Sequence, residues 1–269
     1  MALLTRPLGR GNHLHTSGRT LRIAVLLLYL PDDREPRATI MTTEHMRTRD
    51  FWRSFAPHLH IEDGLLLKNI APIEFTATSC QETAAQLNEE GYFQSMVNWD
   101  IEIELMAHTI RSLTAELLSP VFGFVYDEFW YPFLKLHLLY AGLLGGKYFL
   151  LPEFWAWNVD PKNGESGWKP HRDRGRASLF EDGSPKSLTT WIPLTAATPL
   201  NGCIYAVPRP YDQTYATDED LTWKFDYQSV RALPAEPGDF LIWNQELLHW
   251  GGKTSPRAKE SRISLAFEM

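Results

Sequence analysis

The feature that most constrains this chain is a change of rhythm near residue 147. Before it, apolar residues recur at helical spacing. After it, the chain breaks into short β-branched and aromatic segments bounded by Gly, Pro, Asn and Asp. The candidate strands are 149–159, 168–173, 188–194, 203–207, 229–233, 239–243, 249–250 and 263–267. About eight strands at such loop-like spacing predict an all-β barrel or jelly roll. Upstream, 44–59 has a loose helical pattern. Ser79, with Glu82 three residues later, predicts a helix start over 79–90, stopped by Gly91. Apolar residues at 97, 101, 105, 106, 110, 113 and 117 predict a helix over 97–118 that Pro120 ends. A further buried helix is expected over 129–144, ending at Gly145-Gly146. The expected fold class is mainly β with flanking helices. Residues 41–269 form a single domain in this reading, with 41–146 as mostly helical support and 147–269 as the jelly-roll core.

Charge and cysteine content narrow the function. The net charge is −7, which disfavours nucleic acid or an anionic membrane as partner, since both call for a basic surface. Two cysteines, Cys80 and Cys203, support neither a disulfide framework nor a Cys-rich zinc site, so a reducing, cytoplasmic setting is expected. Residues 1–40 differ from the rest: Arg6, Arg10, Arg19 and Arg22 precede the apolar run 23–30, which is too short to span a bilayer. That run loosely resembles a signal peptide but is followed by Pro-Asp-Asp-Arg-Glu-Pro without a small-residue cleavage site. A leader that is disordered or weakly attached is the expectation, with Met41 or Met46 as alternative starts.

Chemistry concentrates in the β-rich half. His171 and Asp173 stand in Gly-Trp-Lys-Pro-His-Arg-Asp, and His249 follows in Leu-Leu-His-Trp-Gly-Gly. Residues i and i+2 of a strand share one face, so His171 and Asp173 can reach one metal while Arg172 turns away. With His249 they make a two-histidine, one-carboxylate face, the protein half of a non-haem Fe(II) site that leaves positions open for a co-substrate and O2. Arg262 follows soon after His249, and its planar fork suits the carboxylate of 2-oxoglutarate. Ser264 is i+2 from it, on the same strand face. Alone, His-x-Asp is also the pattern of a solvated loop, here among Lys169, Arg172, Arg174 and Arg176, or of a protein-kinase catalytic loop. The kinase reading fails, because no Asn stands at the required offset, no Asp-Phe-Gly follows and no Gly-rich loop precedes.

The ordered set decides between the other readings. Trp168-x-x-His171-x-Asp173, then Leu-Thr-Thr-Trp191-Ile-Pro-Leu with Asn201-Gly202 beyond it, then Pro237-Gly238-Asp239, Leu-His249-Trp-Gly and Arg262-x-Ser264 resemble the phytanoyl-CoA dioxygenase-like family of Fe(II)/2-oxoglutarate-dependent oxygenases. The resemblance covers roughly 150–269; the first hundred residues carry no matching motif. It implies a double-stranded β-helix (a cupin-like jelly roll) with iron at its mouth, held by His171, Asp173 and His249. It also implies that Arg262, with Ser264 beside it, holds the distal carboxylate of 2-oxoglutarate. The implied activity is hydroxylation of a small organic molecule, or its desaturation, cyclisation or rearrangement, with 2-oxoglutarate converted to succinate and CO2. A halogenase branch of the family replaces the carboxylate ligand with a small residue. Asp173 is present here, which favours hydroxylation or a related oxidation. The alternatives are a cupin-like metal enzyme that does not use 2-oxoglutarate and a non-catalytic jelly-roll binding protein.

Other features are expected to be structural. The ten tryptophans suggest a partly aromatic cavity, with Trp157 and Trp191 the foremost pocket candidates and about one in three of those in the barrel reaching it. The basic cluster at 169–176 reads as a solvated loop, or as a rim that attracts an anionic substrate. Asn201-Gly202 reads as a turn. The His-x-His pairs His13/His15 and His58/His60 read as surface residues. Gly145-Gly146-Lys147 lacks the Ser or Thr of a phosphate loop.

Overall fold

The computed structural model describes residues 44–61, 70–219 and 221–269. The leader, Met41 and the His13/His15 pair lie outside them. Eight strands make two antiparallel sheets. The strands are β1 (Tyr92–Met96), β2 (Phe154–Val159), β3 (Leu188–Pro193), β4 (Ile204–Val207), β5 (Arg231–Leu233), β6 (Asp239–Asn244), β7 (Leu248–Gly251) and β8 (Arg262–Glu268). The larger sheet has the order β1-β6-β3-β8-β2 and the smaller one β5-β4-β7. The fold is mainly β with flanking helices, as expected. Among the described residues no helix is long and apolar enough to cross a membrane.

Period-two alternation sorts the larger sheet into two faces. Phe154 and Ala156 of β2, Ile192 of β3, Phe240 and Ile242 of β6, and Ile263, Leu265 and Phe267 of β8 pack with the helices in one core. The helices are α1 (Arg49–Phe55), α2 (Ala77–Glu90), α3 (Ile103–Ala115), α4 (Tyr131–Lys135) and α5 (His137–Leu143). Each fully buried side chain such as Leu265 or Phe267 contributes about 2 kcal/mol by leaving water. The opposite face carries Trp191, Leu241, Trp243 and Ala266, which meet Ile204, Ala206, Leu233 and Leu247 of the smaller-sheet side in a second core. The functional side chains occupy the part of this inter-sheet space that is not filled.

Several elements differ from expectation, each for a local reason. α2 starts two residues before Ser79, because Thr76 is the cap: its Oγ1 accepts from the Ser79 amide at 3.0 Å. Gly91 closes the helix in the left-handed region, at φ 86°. α3 covers only Ile103–Ala115, bracketed by the left-handed residues Asp100 and Leu117. The expected helix over 129–144 is broken into a 3-10 turn, α4 and α5, with Leu136 at φ −87°, ψ 6° between the two helices. β1 is an edge strand with Gln94 and Ser95 at its centre; nothing in so short and mixed a segment announces it, yet it pairs with β6 along its whole length. Residues 168–173 do not form the expected strand. They meet β7 at one bridge, with His171 and His249 exchanging both backbone hydrogen bonds at 3.0 Å, and the Gly251 amide donates to the Trp168 carbonyl at 3.2 Å. His60 is not a free surface residue either, since its ring meets Glu128 at 2.7 Å.

Candidate metal centre and cavity

The one bridge between 168–173 and β7 has a direct chemical consequence. Pairing the two histidines across it brings their rings to a centroid separation of 4.5 Å. Asp173 folds back toward them, so Oδ1 lies 3.4 Å from His171 Nε2 and 3.6 Å from His249 Nε2. The three groups offer ligand atoms all within 4.8 Å of one another, the only such His/Cys/Asp/Glu group with metal-ligating proximity among the described residues. Two donors at right angles and about 2.1 Å from one octahedral cation stand about 3 Å apart, so this set fits a metal with a small inward adjustment.

The surroundings orient each group toward the centre. His171 Nδ1 lies 2.7 Å from the Lys169 carbonyl and His249 Nδ1 3.0 Å from the Leu247 carbonyl, so both Nδ1–H groups donate to backbone and both Nε2 lone pairs face Asp173. Asp173 Oδ2 accepts from Thr189 Oγ1 at 2.7 Å and from Trp243 Nε1 at 2.9 Å, which leaves Oδ1 for the centre. Burial would raise the Asp173 carboxyl, but the two histidines close to it and the hydrogen bonds from Thr189 and Trp243 hold it well below the usual carboxylate range. Burial pushes His249 down, against the pull of Asp173, toward the neutral imidazole a metal needs. His171 is less enclosed; burial lowers it, but its bonds to Asp173 and the Lys169 carbonyl outweigh that and raise it.

The centre opens on a cavity of about 350 Å³ between the sheets. At one end lies Arg262 of β8, 2% exposed, its Nη1 donating to Ser264 Oγ at 2.6 Å. Among the described residues its Nε has no hydrogen-bond partner, and its guanidinium carbon sits 5.9 Å from the centre of the Trp191 ring. Burial lowers its pKa to about 10. A buried cation with no carboxylate against it is costly unless something anionic arrives. Trp191, almost fully buried, also has an unpartnered indole N–H. This end of the cavity therefore fits a carboxylate ligand.

The structure brings His171, Asp173, His249 and Arg262 to one cavity, with Ser264 hydrogen-bonded to Arg262. Both Trp157 and Trp191 line the cavity, as do Trp155, Trp168 and Trp243, so far more of the barrel's indoles reach it than alternation alone suggested. Trp250 instead stacks on Tyr205. The basic cluster is not a solvated loop throughout. Arg172 is buried, its Nη2 2.7 Å from Asp212 Oδ2 and 2.9 Å from Thr214 Oγ1, and this does turn it away from the centre. Arg174 pairs with Glu153 and Glu268, and Arg176 with Asp218. Asn201 is structural, with its amide spanning the turn to Thr198 and Ala196. Sequence reasoning missed Thr189 and Trp243 as orienters of Asp173, and Glu153 and Glu268 as cavity residues. The last two had a usable signal: Glu268 is in phase with Arg262 and Ser264, and Glu153 with Trp155 and Trp157.

Comparison with known proteins gives one family-model match and a likeness of fold. Residues 143–261 match the family model described as phytanoyl-CoA dioxygenase; the match contains His171, Asp173 and His249 and stops one residue before Arg262. No curated protein sequence matches the chain. Among solved structures, the epimerase SnoN, crystallised with Fe3+, alpha-ketoglutarate and nogalamycin RO, is 18% identical over 72% of this chain and 84% of its own, with a TM-score of 0.51. AviO1 from Streptomyces viridochromogenes Tue57 is 16% identical over 72% of this chain and 96% of its own, at 0.52. EctD from S. alaskensis with bound Fe is 15% identical over 79% and 80%, at 0.51. At these identities the likeness is one of fold.

Proposed function

We propose that this chain, whose residues 143–261 form a phytanoyl-CoA dioxygenase-type domain, is an Fe(II)- and 2-oxoglutarate-dependent oxygenase acting on a small organic molecule. His171, Asp173 and His249 are the iron ligands in this reading, and Arg262 with Ser264 receives the distal carboxylate of 2-oxoglutarate. The observation that carries it is the buried Arg262 guanidinium, which has no carboxylate partner among the described residues and shares one cavity with the two histidines and the aspartate. A two-histidine, one-carboxylate set fits iron, since it leaves one face of the ion open. With 2-oxoglutarate and O2, iron there supplies the oxidising power, and 2-oxoglutarate leaves as succinate and CO2.

The chain's own residues do the rest. The Lys169 and Leu247 carbonyls fix the imidazole tautomers. Thr189 and Trp243 hold one Asp173 oxygen so that the other faces the centre. Arg262 orients 2-oxoglutarate by a charge-assisted pair, with Ser264 and the Trp191 N–H beside it. Trp155, Trp157 and Trp168 wall the remaining space and limit water around the reacting C–H bond. Hydroxylation is the simplest outcome; desaturation, cyclisation or rearrangement would use the same residues.

Succinate release tests the reading. Purified protein with Fe(II), 2-oxoglutarate and a substrate panel should release succinate with product, and Arg262→Met should lower this at least a hundredfold. Substrate oxidation that persists undiminished without any keto acid would replace this reading with a cupin-like metal enzyme. Failure to bind Fe(II) at all would leave a binding protein on the same scaffold.

A further inference from the structure

Two charged groups of the cavity wall have roles in the proposed oxygenase: Asp173 for the metal and Arg262 for 2-oxoglutarate. Arg172 is neutralised behind the wall by Asp212. Glu153, Arg174 and Glu268 remain, and they lie together at the end of β8 away from Arg262. Arg174 Nη2 is 3.2 Å from Glu153 Oε1 and 3.0 Å from Glu268 Oε2, so two carboxyl groups share one cation, and with both ionised the group carries one net negative charge. Glu153 Oε2 is buried without a hydrogen-bond partner among the described residues. This group is not needed to tie the chain together, because the Glu268 amide already donates to the Glu153 carbonyl at 3.1 Å and the Leu151 amide to the Glu268 carbonyl at 2.9 Å.

The adjoining wall is aromatic. Trp155 and Trp157 share a β2 face with Glu153 in phase, their rings stacked at 6.5 Å. Trp168 meets Trp155 edge-on at 5.2 Å and is half exposed, at the mouth. Indole faces attract cations and do so more strongly when water is excluded. The cavity is thus electrically graded along β8, a cation at Arg262 and a net anion with indole walls at Glu268.

We propose that the substrate is an organic ammonium ion, its protonated nitrogen seated between the Glu153–Glu268 carboxylates and the Trp155, Trp157 and Trp168 rings; this assignment rests on the oxygenase reading for the roles of Asp173 and Arg262. The ammonium supplies the charge that Arg174 leaves uncompensated and a donor for Glu153 Oε2. A carboxylate substrate would meet two carboxylates and an arginine already engaged by both. The ammonium also anchors the molecule at a fixed distance from the metal centre, which selects the C–H bond presented there.

The test uses the full chain under anaerobic conditions at pH 7.5, with Fe(II) and 2-oxoglutarate, and three probes of like shape: 2-phenylethylammonium, 2-phenylethanol and 3-phenylpropanoate. Calorimetric titration should give the ammonium at least tenfold tighter binding than the alcohol, with the carboxylate weakest. Glu153→Gln and Glu268→Gln, made separately, should each cut that preference below threefold, since either leaves Arg174 balanced by one carboxylate. Equal binding of the three probes, no binding of the ammonium, tighter binding of the carboxylate, or a preference that survives both variants would overturn the proposal. The metal–keto-acid absorption band recorded on the same wild-type sample separates the two readings. A band without ammonium preference sinks only this assignment, whereas preference without a band sinks the oxygenase.

Discussion

Replacing Arg262 by methionine is expected to make the unliganded protein more stable while removing its response to 2-oxoglutarate. Arg262 is 2% exposed, has no carboxylate partner among the described residues, and its pKa falls from 12.5 to about 10 through burial. Each factor of ten in proton affinity corresponds to about 1.4 kcal/mol, so the buried charge costs the empty fold about 3 kcal/mol. The sign is that of a cation whose folded pKa is lowered: the cost is full below about pH 10 and is relieved only above it. Methionine keeps an apolar stem of similar reach but loses the bond to Ser264, worth about 1 kcal/mol. The balance is a gain of about 2 kcal/mol, or about 4–8 °C in Tm for a domain of this size. The assay is thermal unfolding at pH 7.5 with a bound divalent metal, with and without 2-oxoglutarate. At a hundredfold excess over Kd the ligand should stabilise wild type by about 2.7 kcal/mol and leave the variant unmoved. A variant that loses stability when empty, or that still responds to 2-oxoglutarate, would refute the argument that an uncompensated charge waits for this ligand.

Three further outcomes follow from the same geometry. Arg172→Met leaves Asp212 and Glu246 as buried carboxylates without their cation, and should cost about 3–5 kcal/mol in urea denaturation; Arg172→Lys should restore only part of this, because it cannot also reach Thr214. Gly167→Ala places a methyl 2.6 Å from Gly251 Cα and 3.2 Å from Arg262 Nη2, so 2-oxoglutarate affinity should fall at least tenfold while Fe(II) affinity changes by less than threefold, both read by anaerobic titration. Burial pushes the Cys203 thiol up to about 11, so about one thousandth is thiolate at pH 8; a thiol reagent should modify one cysteine, Cys80, in the folded protein and both in denaturant.

The sequence carried the candidate metal-centre set almost whole, because the proposed ligands and co-substrate arginine must be specific residue types in a specific order. Strand alternation correctly placed Arg262 with Ser264, and by the same rule would have placed Glu268 and Glu153 in the cavity. It placed His171 and Asp173 correctly for the wrong reason: 168–173 is a loop held by one bridge, and Asp173 turns back through hydrogen bonds to Thr189 and Trp243 that no local pattern encodes. β1 was illegible for a related reason, since an edge strand with Gln94 and Ser95 at its centre is made by pairing with β6 rather than by its own composition. The expected helix over 129–144 failed at Leu136, where apolar periodicity continues although the backbone leaves the helical region. The charge pairings of Arg172 and Arg174 join residues far apart in the chain and belong to the tertiary structure alone.

The measurement that tests the central claim most directly is anaerobic titration of the purified protein with Fe(II) and then with 2-oxoglutarate, followed by absorption spectroscopy. One Fe(II) per chain should bind, 2-oxoglutarate should then produce a metal–keto-acid band, and His249→Ala should abolish both steps while Arg262→Met abolishes only the second. Fe(II) binding that survives His249→Ala, or a wild-type protein that binds iron yet shows no band at saturating 2-oxoglutarate, would contradict the account.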